Sequence, residues 1–152
     1  KEAVSMIDTA VETITSFDGK VFYTQDTHGE DYLDTEEGRH LPVVHCIKGS
    51  EGWKIHPKIE KALLLKDATG IEKSTFGSEK LMGIIEKEVP DVESITLIGI
   101  CTDICVISNA MLAKAHFQNT PVNVISSACA GVTPESHDNA LEAMKMCHIE
   151  IQ

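Results

Sequence analysis

Basic residues are scarce in this sequence. Its 13 lysines and arginines stand against 24 aspartates and glutamates, which gives a formal net charge of −11. Such a chain is repelled by a nucleic-acid backbone or an anionic membrane, so neither is expected as a partner. The sequence also has no apolar run of membrane-spanning length, and its N-terminus has no basic segment followed by an apolar one. We therefore expect neither a transmembrane helix nor a signal peptide.

The cysteines do not show the spacing that is typical of disulfide-bonded scaffolds or of C-x-x-C motifs. The five cysteines, an odd number, form no C-x-x-C pair; they are Cys46, Cys101, Cys105, Cys129 and Cys147. This usage excludes a disulfide scaffold and predicts reduced thiols in a cytoplasmic protein. With 42% hydrophobic and only 5% aromatic residues, the chain is expected to form one globular domain over residues 1–152.

Helical and strand patterns alternate along the chain. Helices are predicted from residue 1 to the Asp18-Gly19 stop, over Pro57–Leu65, from Ser78 to Pro90, after Cys105, and after Thr133 with Ala140, Leu141, Met144 and Cys147 facing inward. Strands are predicted over Lys20–Asp26, Ile71–Lys73, Ser94–Gly99, Val122–Ile125 and His148–Ile151. This alternation predicts a doubly wound, three-layer α/β/α fold with a mostly parallel sheet.

Reactive side chains lie at the ends of three predicted strands or directly after them. They are Asp26-Thr27-His28, the segment from Lys73 to Phe76, and the segment from Cys101 to Cys105. In open parallel sheets, functional groups collect at the carboxyl ends of strands. The polar segment from Thr27 to Trp53 is a long loop, and a loop of that length in a compact domain is usually functional.

Cys105 lies where a strand becomes a helix. Backbone N–H groups and the positive end of the helix dipole favour thiolate over thiol there. Lys73, if it lies beside this cysteine, would lower the thiol pKa further. The alternatives are a small buried hydrophobe for Cys105 and an exposed charge for Lys73.

Asp26 and His28 are separated by one residue, so they project to the same side of an extended strand end. The following loop adds Glu37, His40 and His45 as further donors. A mixed carboxylate and imidazole set suits Zn²⁺, Fe²⁺ or Mn²⁺. The alternative is a hydrogen-bonded pair beside a solvated loop.

The segment Gly99-Ile-Cys-Thr-Asp-Ile-Cys-Val106 resembles the nucleophile motif of the isochorismatase-like cysteine hydrolases. Asp26-Thr27-His28, Leu41-Pro-Val-Val-His45-Cys46 and the region from Asp67 to Ser78 resemble the nicotinamidase branch of that family. The resemblance implies that Cys105 is the nucleophile and that Lys73 is the active-site lysine. It also implies a cis peptide bond between Ile100 and Cys101, which directs the N–H groups of Cys101 and Cys105 to one oxyanion.

The same resemblance implies a divalent metal ion, foremost zinc, with iron or manganese as alternatives. Its ligands would be Asp26, His28, Glu37 and His45, and Glu36 or His40 could replace Glu37 after a small shift of the loop. Phe76 and Ile100 are the expected substrate-binding residues. Leu41-Pro42 stands where many nicotinamidases have Trp-Pro, and Phe76 or Trp53 could supply the missing aromatic wall.

The implied activity is hydrolysis of nicotinamide to nicotinate and ammonia through a cysteine thioester, within NAD salvage. Hydrolysis of another small amide, carbamoyl or ureido compound is the alternative enzyme function, and a non-catalytic binding or interaction module is the alternative outside enzymes. Family members commonly self-associate, so a homo-oligomer is expected.

The sequence departs from the family pattern at its start. The family's catalytic aspartate closes a strand that precedes the first helix, whereas residue 1 already lies in a helical pattern. We therefore expect the first strand of the fold to have no counterpart among these residues, and we do not expect Asp8, within the predicted helix, or Asp18, at its end, to replace that aspartate. We expect residues 1–152 alone to hydrolyse nicotinamide slowly or not at all, and a chain with that strand restored to turn over.

Overall fold

A computed structural model describes residues 2–152 of the protein. The helices are α1 (Glu2–Ser5), α2 (Ile7–Ser16), α3 (Glu36–His40), α4 (Pro57–Leu65), α5 (Glu79–Glu88), α6 (Ile107–His116) and α7 (Pro134–Met146). The strands are β1 (Phe22–Asp26), β2 (Thr69–Lys73), β3 (Ile95–Ile100), β4 (Val122–Ala130) and β5 (Glu150–Ile151). No helix in this described part combines the length and apolarity needed to cross a membrane.

All strand pairs are parallel, which confirms the predicted α/β fold class. The described strands form two sheets, one with the order β1-β2 and one with the order β3-β4-β5. In the first sheet Asp26 is the register partner of Lys73. In the second, Gly99 and Ile100 pair with Cys129 and Ala130 after a shift in register that follows Leu97. The carboxyl ends of β1, β2 and β3 carry the three reactive segments.

The main hydrophobic core lies between the second sheet and helices α5, α6 and α7. Val122 and Val124 of β4 are buried against Met144 of α7, while Ala110 and Ala113 are the small, fully buried residues of α6. Small side chains let a helix approach a sheet closely, so this packing fixes α6, and with it the turn that carries Cys105.

Helix boundaries follow local signals in the sequence. Thr133 caps α7 by accepting a hydrogen bond from the N–H of Ser136, with Pro134 in the first turn. Ser78 caps α5 by accepting from the N–H of Leu81. Both helices begin where the sequence predicts them to begin.

Three predictions about the elements are wrong in detail. β4 does not stop at Ile125 but continues to Ala130, because its second half pairs with the end of β3. The segment from Thr27 to Trp53 is no plain loop, since it contains α3 and two short 3₁₀ turns. Cys147 is exposed rather than inward, because α7 ends at Met146 and the chain leaves the helix face there.

Candidate active site

Lys73 lies at the centre of the site, on the last residue of β2. Because parallel strands place register partners side by side on one face, its side chain meets Asp26 of β1. The Lys73 ammonium donates to Asp26 Oδ1 at 3.2 Å and to the carbonyl of Thr75 at 3.0 Å, and it lies 3.5 Å from Cys105 Sγ. With the residue only 8% exposed, Lys73 is a buried, paired cation rather than a surface charge.

Cys105 lies inside a π-helical turn, Thr102–Val106, that joins β3 to α6. Hydrogen bonds five residues apart define this turn, such as that from the N–H of Val106 to the carbonyl of Cys101 at 3.0 Å. The Ile100–Cys101 peptide bond is cis, as the resemblance implies. The backbone of Cys101 lies beside the Cys105 sulfur and lowers the pKa of the Cys105 thiol. The sequence predicts that an α-helix begins at Cys105, but Cys105 instead lies in a wider π-helical turn that precedes α6.

Burial raises the pKa of the Cys105 thiol above its ordinary value. Lys73 opposes that shift and Asp26 adds to it, and the balance stays upward. Lys73 thus lowers the Cys105 pKa as predicted, but the net shift is upward because desolvation of the thiolate outweighs the nearby cation. The pKa of buried Cys129, where only a backbone hydrogen bond from Gly99 opposes burial, is raised to about 11.

Four side chains beside Lys73 form a cluster with the composition of a metal site. One donor atom from each of Asp26, His28, Glu37 and His45 lies within 4.8 Å of the other three. His28 Nε2 is 3.6 Å from Asp26 Oδ2 and 3.6 Å from Glu37 Oε1, and His45 Nε2 is also 3.6 Å from Glu37 Oε1. These separations exceed hydrogen-bond length and match the spacing of donors around one ion.

The two imidazoles are oriented to offer lone pairs to this cluster. The side chain of His28 is 4% exposed, and its Nε2 has no hydrogen-bond partner among the described residues. A buried nitrogen without a partner is costly, so it points to a cation or a donor as the partner of His28 Nε2. His45 Nδ1 lies 2.8 Å from the carbonyl of Val43, which can only accept, so Nδ1 carries the hydrogen and Nε2 is free to bind a metal.

The structure distinguishes between the possible acidic ligands of the loop. Glu37 points into the cluster with its side chain 15% exposed. Glu36 points to solvent, where it pairs with Arg39 at 3.1 Å and with His40 at 3.0 Å. Successive residues of a helical turn face different directions, which is why only one of the two acids reaches the cluster.

Tyr32 supports the cluster and was missed in the sequence. It is fully buried, and its ring centroid lies 4.8 Å from that of His28 and 5.0 Å from that of His45. Its hydroxyl donates to the carbonyl of Leu41 at 2.9 Å. The signal in the sequence was an aromatic residue within a largely polar segment, because burying a large aromatic ring is favourable.

Gly38 lets α3 approach the Tyr32 turn. A Cβ at position 38 would lie 2.0 Å from the carbonyl oxygen of Tyr32, which is closer than any real contact. We expect Gly38→Ala to push α3 and Glu37 away, to lower the free energy of unfolding by about 1–3 kcal/mol, and to weaken metal binding. Thermal denaturation and metal titration check this.

The matched control is Gly83→Ala, since a Cβ at this helical glycine of α5 meets nothing within 4 Å. It should leave metal affinity unchanged and stability equal or higher. Unchanged metal affinity in Gly38→Ala would contradict the role of this contact.

The expected substrate-binding residues border the same edge. Phe76 is 42% exposed in the loop after Lys73, and Ile100 is 53% exposed at the end of β3. Trp53 lies elsewhere: its indole N–H donates to Thr27 Oγ1 at 2.9 Å, and it lines a separate cavity of about 250 Å³ with Tyr23. The same cavity is lined by Tyr23 and Gln25 of β1, whose side chains face away from Asp26 because side chains alternate along a strand. Trp53 therefore lies on the opposite side of β1 and does not supply the aromatic wall of this site.

Solved structures of other proteins resemble the fold of this chain. The nicotinamidase/pyrazinamidase from Bacillus subtilis is 25% identical over 99% of this chain and 86% of its own, with a TM-score of 0.85. The pyrazinamidase of Pyrococcus horikoshii, solved in complex with zinc, is 25% identical over 100% of this chain and 87% of its own, with a TM-score of 0.81. The yeast nicotinamidase shares the fold, at 14% identity over 99% and 88% of the two chains and a TM-score of 0.84.

No curated protein sequence matches the chain. The sequence model of the isochorismatase domain matches residues 1–151. Because that match covers nearly the whole chain, this protein belongs to the isochorismatase-like hydrolase family.

Proposed function

We propose that this protein is a metal-dependent, nicotinamidase-like amidase that hydrolyses nicotinamide to nicotinate and ammonia. One observation carries the proposal: Asp26 joins a cysteine–lysine pair to a cluster of metal-binding donors. Its Oδ1 accepts from Lys73, which contacts Cys105, and its Oδ2 faces His28 in the cluster. Similarity to nicotinamidases, and to a pyrazinamidase solved with zinc, supports the same function.

The four residues of the cluster fit a divalent cation, because they offer two carboxylates and two imidazole nitrogens within reach of one another. The buried, unpartnered Nε2 of His28 is explained by such an ion. Zinc is the cation we propose, with iron or manganese as alternatives. When bound, the ion would supply a Lewis acid for the ring nitrogen of nicotinamide.

Cys105 would attack the carboxamide carbon through its sulfur. The new C–S bond sends the carbonyl electron pair onto oxygen, where the N–H groups of Cys101 and Cys105 donate to the oxyanion. The C–N bond then breaks, and the thiol proton leaves with the ammonia. Water cleaves the thioester, which releases nicotinate and restores the thiol. Lys73 stabilises the thiolate that reacts, a necessary role because burial disfavours it.

The test is an ammonia-release assay on full-length protein loaded with each candidate metal. We expect turnover of nicotinamide and little turnover of benzamide, which has the same ring and carboxamide without the ring nitrogen. Turnover of a ureido or carbamoyl compound in place of nicotinamide would contradict the substrate while retaining the thiol chemistry. Absence of turnover for every compound would contradict an enzymatic role.

A further inference from the structure

A buried asparagine bridges the two segments that carry Lys73 and Cys105. Asn109 lies on α6 and is 5% exposed. Its Oδ1 accepts from the N–H of Ser78 at 2.9 Å, and its Nδ2 donates to the carbonyls of Phe76 at 3.2 Å and Cys105 at 2.8 Å. One carboxamide thus uses its acceptor and both donor hydrogens, all on backbone groups.

Two of these hydrogen bonds hold the loop that follows β2. Phe76 and Ser78 flank Gly77, so Asn109 fixes this stretch of backbone from both sides. The loop begins beside the Lys73 side chain, whose ammonium donates to the Thr75 carbonyl at 3.0 Å. A shift of this loop would therefore carry along one of the acceptors that hold the Lys73 ammonium in place.

The third hydrogen bond holds the turn on the other side of the contact. The carbonyl of Cys105 accepts from Asn109 one helical turn later, within the transition from the π-helical turn to α6. The Asn109 side chain is thus attached to the backbone of Cys105 and to the loop beside Lys73. The 3.5 Å contact between Lys73 Nζ and Cys105 Sγ lies between these two attachments.

We propose that Asn109 is a positioning residue that sets the Lys73–Cys105 contact by bonding the loop at Phe76–Ser78 to the Cys105 turn. Buried polar groups that are fully satisfied give a segment one defined geometry, and the carboxamide of Asn109 meets that condition. This inference rests on the proposed function, in which Lys73 stabilises the Cys105 thiolate.

The experiment compares Asn109→Ala with the matched control Asn123→Ala. Asn123 is likewise buried, at 8% exposure, but lies on β4 in register with Thr96 and Glu150, away from the three reactive segments. The first readout is the alkylation rate of Cys105 by iodoacetamide at neutral pH, measured by peptide mass spectrometry. The exposed Cys147 serves as internal standard, and Lys73→Met shows the effect of losing the ammonium.

We expect Asn109→Ala to slow alkylation of Cys105 about tenfold, in the direction of Lys73→Met, because a displaced cation leaves less thiolate. The kcat for nicotinamide should fall by a similar factor. Asn123→Ala should change neither. Equal Cys105 alkylation rates in the Asn109 and Asn123 variants would overturn the proposal, whatever their thermal stabilities.

Alkylation needs no substrate, so this result is independent of whether nicotinamide is hydrolysed. If Asn109→Ala does not fold, Asn109→Ser replaces it. A serine hydroxyl can bond the carbonyl four residues earlier, as Ser108 does with Ile104 at 2.6 Å, but is too short to hold the loop. That variant should also slow Cys105 alkylation relative to Asn123→Ser, and wild-type alkylation would overturn the proposal.

Discussion

We expect Cys105→Ala to lower kcat/KM for nicotinamide by at least about 10³-fold in the full-length protein, because the covalent route is lost with the sulfur. Bound metal should stay at its wild-type level, since Cys105 is not among the four clustered donors. The loss of a partly buried thiol should change stability only slightly. Ammonia release and elemental analysis on the same preparation measure both effects.

Cys147→Ala is the control for this substitution. Its thiol is exposed beyond the end of α7, so its removal should leave activity unchanged. Substantial hydrolysis by Cys105→Ala would rule out the thioester mechanism. A loss of metal together with activity would instead place Cys105 within the metal site.

The second large effect is expected from His28→Ala, which should weaken metal binding by more than about 100-fold. Loss of a partner that only orients a ligand costs about 10–100-fold in affinity, and a direct ligand should cost more. KM for nicotinamide should rise sharply. Titration of the metal-free protein with zinc measures the affinity, and steady-state kinetics measures KM.

His40→Ala is the matched control, because His40 is another histidine of the segment from Thr27 to Trp53 but points to solvent and pairs with Glu36. It should retain both metal affinity and KM. Wild-type zinc affinity in His28→Ala would show that the unpartnered Nε2 has another explanation and that the cluster does not bind the ion through this residue.

Much of the site could be anticipated from the alternation of strands and helices. Asp26 and Lys73 end predicted strands and Cys105 follows one, and the common edge of parallel strands brings them together. The loop ligands needed more than this, since spacing alone left Glu36, Glu37 and His40 open. Only the folded geometry of α3 shows which acid points inward.

The remaining features depend on contacts between segments far apart in sequence. The direction of the Cys105 pKa shift reflects how completely the thiol is desolvated, and no local pattern reports that. Asn109 looks like an ordinary helix residue until the loop after β2 is seen beside it. Tyr32 likewise gains its role from packing against His28 and His45.

The two oxygens of Asp26 contact different neighbours, so the energetic contributions of those neighbours are coupled through one carboxylate. Oδ1 accepts from Lys73 and Oδ2 faces His28, so removing either neighbour changes how the Asp26 carboxylate interacts with the other. The changes in activation free energy that kcat/KM gives for His28→Ala and Lys73→Met should therefore not add up to the change in the double variant. The contribution of Lys73 or His28 to activity then has no fixed value, because it depends on how Asp26 contacts the other residue.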